Sequence, residues 1–297
     1  MEPFLNRVAS GRTIVGDGAL GTSLMARGLR VQDCLESAVL SRPDLIEEIA
    51  AAYLSAGSEV LTTDSFGASP LKLSSYGLDS RTEEINRRAV ELLRGVAGGR
   101  AWIAGSVGPT GRILTPYGDT EPAEIAAAFE RQVAALAGAG ADLIIVETMI
   151  DLAEARLAIA AAKRLAPNIP VVATMTFDAT PRGFFTTMGT TIADAAAGLA
   201  GAGADVVGSN CGNGIEAMVR IGLEFAPHTR RPIAIQSNAG LPQLVDGTLR
   251  WPESPEHFAE HALPLVELPA ALLGGCCGTG PDHIRALRRL VDAAPSR

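Results

Sequence analysis

Three of the four cysteines stand where apolar runs of the sequence end. Cys211 closes the run 206–211, and Cys276 and Cys277 follow the run 271–275 side by side. If these runs are parallel strands of one closed sheet, their carboxyl ends converge and so do the three thiols. Three thiolates with an open fourth position favour a catalytic site for a soft or borderline ion, with Zn²⁺ as the first candidate. Three inert buried thiols, or a strained vicinal disulfide, are the alternatives.

Carboxylates and one amide also stand at the ends of apolar runs. Glu147 ends the run 143–147, where an unpaired carboxylate is costly, and we therefore expect it to face a ligand. Asp17 ends the first run and could instead cap the helix that follows. The segment 139–142 recurs at 202–205 and loosely at 56–59, and five residues beyond each acidic member stand Glu147, Asn210 and Asp64. This common offset predicts that all three lie at one rim.

Two further features carry ligand chemistry. His257 and His261 are four residues apart, so they could share a helix face as metal ligands, although a solvated outer helix is the simpler interpretation. The glycine-rich turn before Pro281 could bind a phosphate or a carboxylate at a helix N-terminus. The sequence contains no Walker or dinucleotide-binding fingerprint.

The elements that must position these residues are short apolar runs without polar alternation, as expected of strands buried on both faces. There are eight, at 13–17, 60–64, 102–106, 143–147, 171–175, 206–211, 233–238 and 271–275. Helical patterns separate them, at 45–54, after Pro122, and at 151–165, 192–200 and 255–261. The segment 41–44 resembles a capping box, and Gly57 is expected to end the first of these helices.

Alternation of eight strands with helices predicts an α/β fold, a (β/α)₈ TIM barrel that forms a single domain over residues 1–297. A doubly wound open sheet is the alternative. The formal charge is −8, from 25 basic and 33 acidic residues, which argues against a nucleic-acid partner. We identify neither a membrane span nor a signal peptide, and four cysteines do not suggest a secreted disulfide framework. A cytoplasmic enzyme is therefore expected.

The segments 274–279, 208–211 and 17–22 together resemble the zinc-dependent homocysteine S-methyltransferase family, and 147–148, 238–240 and 105–111 fit it as well. The resemblance runs nearly end to end. It implies a (β/α)₈ barrel that binds Zn²⁺ through three cysteines, matched here by Cys211, Cys276 and Cys277. The sulfur of homocysteine takes the open position, which Asn238 would occupy when substrate is absent.

The resemblance also implies the substrate contacts. Asp17 and Glu147 match the residues that hold the amino-acid ammonium group, and Asn210 falls in the same substrate site. The backbone amides of Gly18, Ala19 and Leu20 would receive the carboxylate. A free thiol titrates near ~8.5, and coordination to Zn²⁺ removes its proton. Attack of that sulfur on an activated methyl group would then give methionine.

The methyl donor divides the family into types that use a methylcorrinoid, a sulfonium such as S-methylmethionine, or betaine. This chain looks most like the homocysteine-binding domain of cobalamin-dependent methionine synthase, which implies a corrinoid-protein or methyltetrahydrofolate-linked donor. Betaine is disfavoured because Thr148 replaces an aromatic residue. Asp64 stands where an uncharged asparagine is expected in the methionine synthase type, and its carboxylate would favour a cationic donor. The aromatic residues that could surround a sulfonium are Phe66, Tyr117, Phe177, Phe184, Phe185 and Trp251.

Two other functions are compatible with the residues alone. One is a (β/α)₈ lyase or isomerase that binds a phosphorylated ligand at the turn after the eighth run. The other is a non-enzymatic zinc or thiol sensor. The sequence leaves open a different acceptor thiol, a homo-oligomeric state, and whether the chain is a stand-alone homologue, a part of a longer protein or a subunit served by a separate corrinoid protein.

Overall fold

The computed structural model describes residues 1–30, 32–245, 248–268 and 270–294. Eight strands form one parallel sheet. They are β1 (Ile14–Val15), β2 (Val60–Thr62), β3 (Trp102–Val107), β4 (Leu143–Met149), β5 (Val171–Met175), β6 (Val206–Asn210), β7 (Ile233–Ser237) and β8 (Ala270–Gly275). Their order is β1-β8-β7-β6-β5-β4-β3-β2. The first and last strands therefore pair with each other, which confirms the barrel and excludes the doubly wound open sheet. The predicted limit at Arg297 lies outside the described residues.

Eight long helices surround the strands. They are α1 (Pro43–Ala56), α2 (Thr82–Ala97), α3 (Pro122–Gly138), α4 (Leu152–Leu165), α5 (Ile192–Gly201), α6 (Ile215–Phe225), α7 (Pro255–Glu267) and α8 (Pro281–Ala293). The helical patterns of the sequence are thus confirmed, and Gly57 ends α1 with φ of 103°. The capping box at 41–44 is wrong. Ser41 ends a short helix, Ala38–Ser41, and its hydroxyl donates to the Ser37 carbonyl (3.1 Å). The N-cap of α1 is Arg42, and no side chain caps this helix.

The interior of the barrel is apolar in its lower part. Side chains of alternate strand positions form a separate buried cluster there, which includes Ile14, Val60, Trp102, Ile145 and Leu272. Phe4, on the N-terminal helix Phe4–Ala9, closes the bottom by packing edge-on against Trp102 with ring centroids 5.7 Å apart. The larger core cluster contains residues from both the strands and the surrounding helices.

The acidic residues of the internal repeat hold the strand entrances together. Each accepts a hydrogen bond from a backbone amide of the neighbouring strand, and the donor–acceptor pairs are Ile103–Asp142 (2.7 Å), Val171–Asp205 (2.8 Å) and Val15–Glu59 (3.1 Å). A basic side chain pairs with each acid, as in Lys163–Asp205 (2.6 Å). Each strand rises about 3.3 Å per residue. Five residues beyond each acid, the chain has therefore run from the entrance of the strand to its carboxyl end. The repeat is therefore structural at one face and places Glu147, Asn210 and Asp64 at the other.

The loops at the carboxyl ends of the strands carry two small hairpins. Asp178–Thr180 pairs with Gly183–Phe185, and Gln243–Val245 pairs with Thr248–Arg250. Over the residues that the structure describes, no helix combines the length and apolarity that a membrane crossing requires.

Candidate active site

A layer of polar side chains lies directly above the apolar interior. Strand side chains alternate between the two faces of a sheet, so an interior residue is followed by another two positions later. The interior residues Val60, Ala104, Ile145, Val172 and Ala234 are followed in this way by Thr62, Ser106, Glu147, Thr174 and Gln236. The same alternation leads from Val206 to Asn210 and from Leu272 to Cys276. The sequence therefore changes from apolar to polar at one level of the barrel, where its mouth begins.

Cys211, Cys276 and Cys277 come together at this mouth. Their sulfur atoms all lie within 4.8 Å of one another, and the Sγ atoms of Cys211 and Cys277 are 3.9 Å apart. All three are free and partly exposed, so neither the vicinal disulfide nor the buried inert thiols are present. Zn–S bonds of about 2.3 Å in a tetrahedral site place sulfur atoms about 3.8 Å apart. The fourth cysteine, Cys34, is buried and does not belong to this cluster.

Strand β7 stands between the two cysteine-bearing strands and fixes both. The Cys211 amide donates to the Gln236 carbonyl (3.1 Å), and the Cys276 amide donates to the Ser237 carbonyl (2.7 Å). The Thr279 hydroxyl donates to the Cys276 carbonyl (2.7 Å). These bonds hold the thiol-bearing backbone in place without help from a ligand.

Gly278 is required by the close approach of Trp251. Its φ is 81°, a left-handed conformation that disfavours side chains. A Cβ atom there would lie 2.1 Å from Cγ of Trp251, so the indole covers the glycine directly. The turn that carries Cys276 and Cys277 therefore depends on a residue without a side chain.

The three thiols change one another's pKa values. Hydrogen bonds from Cys276 and Cys277 lower the pKa of the Cys211 thiol, while the same interaction raises the pKa of Cys277 to about 12 and that of Cys276 well above its usual range. A thiolate at Cys211 is thus stabilised by the S–H groups of Cys276 and Cys277. Its negative charge disfavours ionisation of a second thiol. A soft cation among the sulfurs offsets the charge of further thiolates, which is the chemistry expected of a three-thiolate metal site.

Asn238 contributes a carbonyl oxygen to the same place. Its side chain lies beside Cys211, where it helps to lower the pKa of that thiol, and it is 4% exposed. Among the described residues its Oδ1 atom is buried and has no hydrogen-bond partner. A buried oxygen without a donor is costly unless something else pairs with it. A cation among the cysteines would supply that partner, which fits the ligand role that the resemblance implies for Asn238.

Glu147 reaches the mouth from the end of β4. Ser106 Oγ donates to its Oε1 (2.5 Å), and Asn210 Nδ2 donates to its Oε2 (3.2 Å). Burial of the carboxyl group raises the pKa of Glu147 to about 7, and the nearby charges of Asp17 and Cys211 act in the same direction. A cationic group arriving at this carboxylate would reverse that effect.

Asn210 supports Glu147 from behind. It is fully buried, and its Oδ1 accepts hydrogen bonds from the Thr148 amide and the Thr174 hydroxyl, both at 2.7 Å. Its Nδ2 atom also lies 4.0 Å from Cys276 Sγ. These bonds within the protein favour a positioning role, and direct contact of Asn210 with substrate stays a prediction.

Asp17 follows β1 and lies beside β2. Its two carboxylate oxygens accept from the Thr62 amide (2.6 Å) and the Thr62 hydroxyl (2.8 Å), which joins β1 to β2. It does not cap the following short helix, Gly21–Met25, which has no side-chain cap. Burial raises the pKa of Asp17 from 3.8 to about 6.

The predicted amide donors after Asp17 are not equivalent. The Ala19 amide donates to the Thr279 hydroxyl (3.2 Å) and the Thr279 carbonyl (3.3 Å), so it is already engaged. Gly18 and Leu20 remain as the predicted carboxylate donors. Gly18 lies against Tyr53 and Thr279, since a Cβ atom there would be 2.8 Å from each.

Known proteins similar to this chain identify its family. The family model described as homocysteine S-methyltransferase matches residues 14–291, which include all three cysteines of the cluster. The chain belongs to the homocysteine S-methyltransferase family. Methionine synthase of Mycobacterium tuberculosis is 33% identical over 301 residues, and that of Mycobacterium leprae is 31% identical over 297. These alignments cover 96% and 94% of this chain but only 25% and 24% of the relatives. The chain thus spans about a quarter of their length.

Solved structures agree with the family assignment. The metallated form of the homocysteine methyltransferase MmuM from Escherichia coli superposes with a TM-score of 0.78 at 27% identity, covering 93% of this chain and 96% of that one. The carboxyl transferase domain of Rhizobium etli pyruvate carboxylase shares the fold alone, with a TM-score of 0.53 at 16% identity over 98% of this chain and 49% of that one.

Two of the residues considered for the methyl donor are in the core. Phe177 is fully buried and packs against Phe225 with ring centroids 5.8 Å apart, and Phe184 is 5% exposed. Arg182 lies over the ring of Phe185 at 5.6 Å. These rings are therefore not free to enclose a sulfonium. Phe66 and Tyr117 are exposed, and Trp251 is partly exposed.

Asp64 follows β2 and is buried, with 6% exposure. Its surroundings include Glu36 and Cys34, both on the preceding loop. Burial and the charge of Glu36 raise the pKa of Asp64 well above its usual range, so a negative charge on this carboxyl group is disfavoured. This environment therefore does not favour the negatively charged Asp64 that was expected to attract a cationic methyl donor.

The glycine-rich turn after β8 uses its amides internally. The Gly278 amide donates to Thr22 Oγ1 (3.2 Å), the Thr279 amide to the Cys276 carbonyl (3.1 Å), and the Gly280 amide to His283 Nδ1 (3.2 Å). A phosphate at the N-terminus of α8 would have to displace these partners. The structure therefore does not support the phosphate-binding alternative.

Proposed function

We propose that this chain transfers a methyl group to the sulfur of homocysteine and forms methionine, with one Zn²⁺ held by Cys211, Cys276 and Cys277. The observation that carries the proposal is the cluster of three sulfurs within 4.8 Å at the barrel mouth, near the buried carboxyl groups of Glu147 and Asp17. Family membership supports the acceptor, and the spacing of the sulfurs supports the ion. The homocysteine-binding assignment of residues 1–297 is part of the same proposal.

The donor set suits zinc. Three thiolates and a carbonyl oxygen would suit Zn²⁺, with the unpaired oxygen of Asn238 as the ligand that substrate could replace. When bound, the Zn²⁺ supplies the Lewis acidity that removes the thiol proton of homocysteine at neutral pH and leaves its sulfur nucleophilic. Cys211, Cys276 and Cys277 hold the ion, and their own charges preserve the electron density of the incoming sulfur.

Asp17 and Glu147 act on the amino-acid part of the substrate. Both carboxyl groups are buried with raised pKa values, because desolvation opposes their negative charge. The ammonium of homocysteine satisfies this charge and fixes which way the substrate lies. Gly18 and Leu20 amides would receive its carboxylate. An alkyl thiol without an ammonium group leaves both acids unpaired, and selectivity for an amino-acid thiol follows from that cost.

Apolar side chains around the mouth bear on the methyl donor. Five of them lie on the loops that follow β3, β5 and β7, with exposures between 40% and 82%: Ile113, Tyr117, Met188, Leu241 and Leu244. Such a rim suits a protein surface better than a small cation, which needs an enclosing pocket with free aromatic faces. With the burial of Phe177 and Phe184, it favours a corrinoid-bearing protein as the donor.

A donor screen tests the proposal. Purified zinc-loaded protein is incubated with homocysteine and methylcobalamin, S-methylmethionine, betaine or dimethylsulfoniopropionate, and methionine is measured. We expect methionine from methylcobalamin, more of it when the cobalamin is carried by a protein. Formation from a sulfonium alone would replace the donor assignment but leave the acceptor assignment intact. Zinc binding without methionine from any donor would overturn the proposal in favour of a zinc sensor.

A further inference from the structure

A second group of metal-ligand side chains lies outside the barrel, between α6 and α7. The Nε2 atom of His261 is 3.5 Å from Oε1 of Glu216, and the Nε2 atom of His257 is 3.7 Å from the same oxygen. The three ligand atoms all lie within 4.8 Å of one another. We propose that Glu216, His257 and His261 form a second binding site for a divalent transition ion such as Zn²⁺.

The starts of the two helices fix this geometry. Glu216 is the second residue of α6, and the Glu253 side chain just before α7 accepts from the Ile215 amide (3.1 Å), which joins the two helix starts. The Ser254 hydroxyl caps α7 by accepting from the His257 amide (3.3 Å). One helical turn separates His257 from His261, and their rings lie 4.1 Å apart at 32°. The sequence pattern of two histidines on one face is thus completed by a carboxylate from the neighbouring helix.

A hydrogen bond sets the tautomer of His261. Its Nδ1 atom lies 2.9 Å from the carbonyl oxygen of His257, which can only accept, so Nδ1 carries the proton. The lone pair of Nε2 in the neutral ring then faces the Glu216 carboxylate. A cation between these two acceptors, either a proton on the ring or a metal ion, offsets their repulsion at 3.5 Å. The backbone carbonyl therefore plays the orienting role that such groups have beside metal-bound histidines.

The ligand types and spacing select the class of ion. Two imidazoles and one carboxylate suit borderline ions such as Zn²⁺, Co²⁺ and Ni²⁺. Bonds of about 2.0–2.1 Å in a tetrahedral site place ligand atoms about 3.3 Å apart. Here the two measured separations are 3.5 and 3.7 Å, so small side-chain rotations suffice. The side chains are 37%, 38% and 67% exposed, and solvent can supply the remaining ligands.

A metal in this position would link the two helices that follow the active-site strands. Helix α6 follows the loop that contains Cys211, and α7 follows the loop that begins at Asn238. The ion would join these helices at their N-terminal turns, on the side of the barrel mouth. The second site needs none of the three cysteines, so it stands independently of the proposed function.

Cobalt binding to protein that holds one equivalent of Zn²⁺, enough for the cysteine cluster alone, provides the test, because the chain has only four histidines. We expect one equivalent of Co²⁺ to broaden the ring NMR signals of His257 and His261 and to leave those of exposed His228 sharp. The cobalt spectrum should show no thiolate charge-transfer band, which separates this site from the cysteine cluster. His261→Ala and Glu216→Gln should each weaken Co²⁺ binding at least tenfold, and His228→Ala should not.

Two cobalt-binding results would contradict the second site. Co²⁺ that broadens no histidine signal, or that binds His261→Ala as tightly as the unchanged protein, would contradict it. Thermal unfolding without added metal checks that the exposed substitutions leave the fold intact. The Cys277→Ala protein provides the separation from the proposed function, since it should retain the cobalt site even if methyl transfer is lost.

Discussion

Asn210 holds Thr148 through two opposed hydrogen bonds. The Thr148 amide donates to Asn210 Oδ1, and Asn210 Nδ2 donates to Thr148 Oγ1, both at 2.7 Å. Thr148 has φ of 59° and Cys211, the residue after Asn210, has φ of 61°; both are left-handed. A β-branched residue in this region is strained. One buried amide thus holds the strained Thr148 directly and contacts Glu147, and it immediately precedes the strained Cys211.

Removal of the Asn210 side chain should therefore disturb the site as a whole. We predict that Asn210→Ala lowers the free energy of unfolding by about 2–4 kcal/mol, because buried partners lose their hydrogen bonds. Homocysteine KM should rise as well, since Glu147 loses its support. Denaturant unfolding and steady-state kinetics measure both. The control is Asn168→Ala on the surface, and equal unfolding of the two variants would contradict the role assigned to Asn210.

Backbone strain at Thr148 makes a separate prediction. A left-handed conformation costs a non-glycine residue about 1–2 kcal/mol, whereas glycine adopts it freely. Both Thr148→Gly and Thr148→Ala lose the hydroxyl contact, so their difference isolates the backbone. Thr148→Gly should be about 1 kcal/mol more stable than Thr148→Ala in denaturant unfolding. If alanine proves equal or better, the left-handed conformation is not a feature of the protein in solution.

Glu147 should discriminate between thiols with and without an ammonium group. We predict that Glu147→Gln lowers kcat/KM for homocysteine by 10- to 100-fold, which corresponds to about 1.4–2.7 kcal/mol. For 4-mercaptobutyrate, which lacks the amino group, the same substitution should change little. Glu91→Gln on the outer face of α2 serves as the control. An equal loss of kcat/KM with both thiols would show that Glu147 does not bind the ammonium group.

The pH dependence of stability should contain a contribution from Asp17. Its pKa is raised from 3.8 to about 6 by burial, so the folded protein holds the proton more tightly than the unfolded chain. The stability that this confers is present below pH 4 and is lost as the pH rises through about 6, amounting to roughly 2–3 kcal/mol.

Asp17→Asn should remove that slope. An asparagine oxygen can still accept from the Thr62 amide but does not titrate. Melting temperatures of the two proteins should therefore differ most in how they change between pH 4 and 7. Homocysteine binding to the unchanged protein should weaken below pH 6, because the ammonium then meets a neutral acid. Parallel melting curves across this range would contradict the buried, titrating Asp17.

The sequence predicted most of this barrel because a parallel sheet covered on both faces needs uninterrupted apolar strands. The offset from Asp142 to Glu147 then located the rim, since a strand of known rise connects them. Ser106, Thr62 and Thr174 were missed, although they stand two positions beyond the interior residues Ala104, Val60 and Val172. Counting that alternation along each strand would have found them.

Other features depend on contacts that local patterns do not contain. Ser41 has the residue type of a helix cap but is taken up by the preceding helix. Phe177 follows a strand like a rim residue, yet it packs into the core against Phe225. The left-handed backbone at Thr148 is held by Asn210, which is 62 residues away in the chain. Such long-range hydrogen bonds are set by the closed fold and leave no signal in the neighbouring sequence.

The central claim is that Cys211, Cys276 and Cys277 hold the zinc on which methyl transfer to homocysteine depends. Metal removal and reconstitution test it most directly. Chelator-treated protein should form no methionine, and stoichiometric Zn²⁺ should restore activity to the unchanged protein and to Cys34→Ala but not to Cys277→Ala. Full activity of the chelated protein, or equal restoration of Cys277→Ala and Cys34→Ala, would contradict the claim.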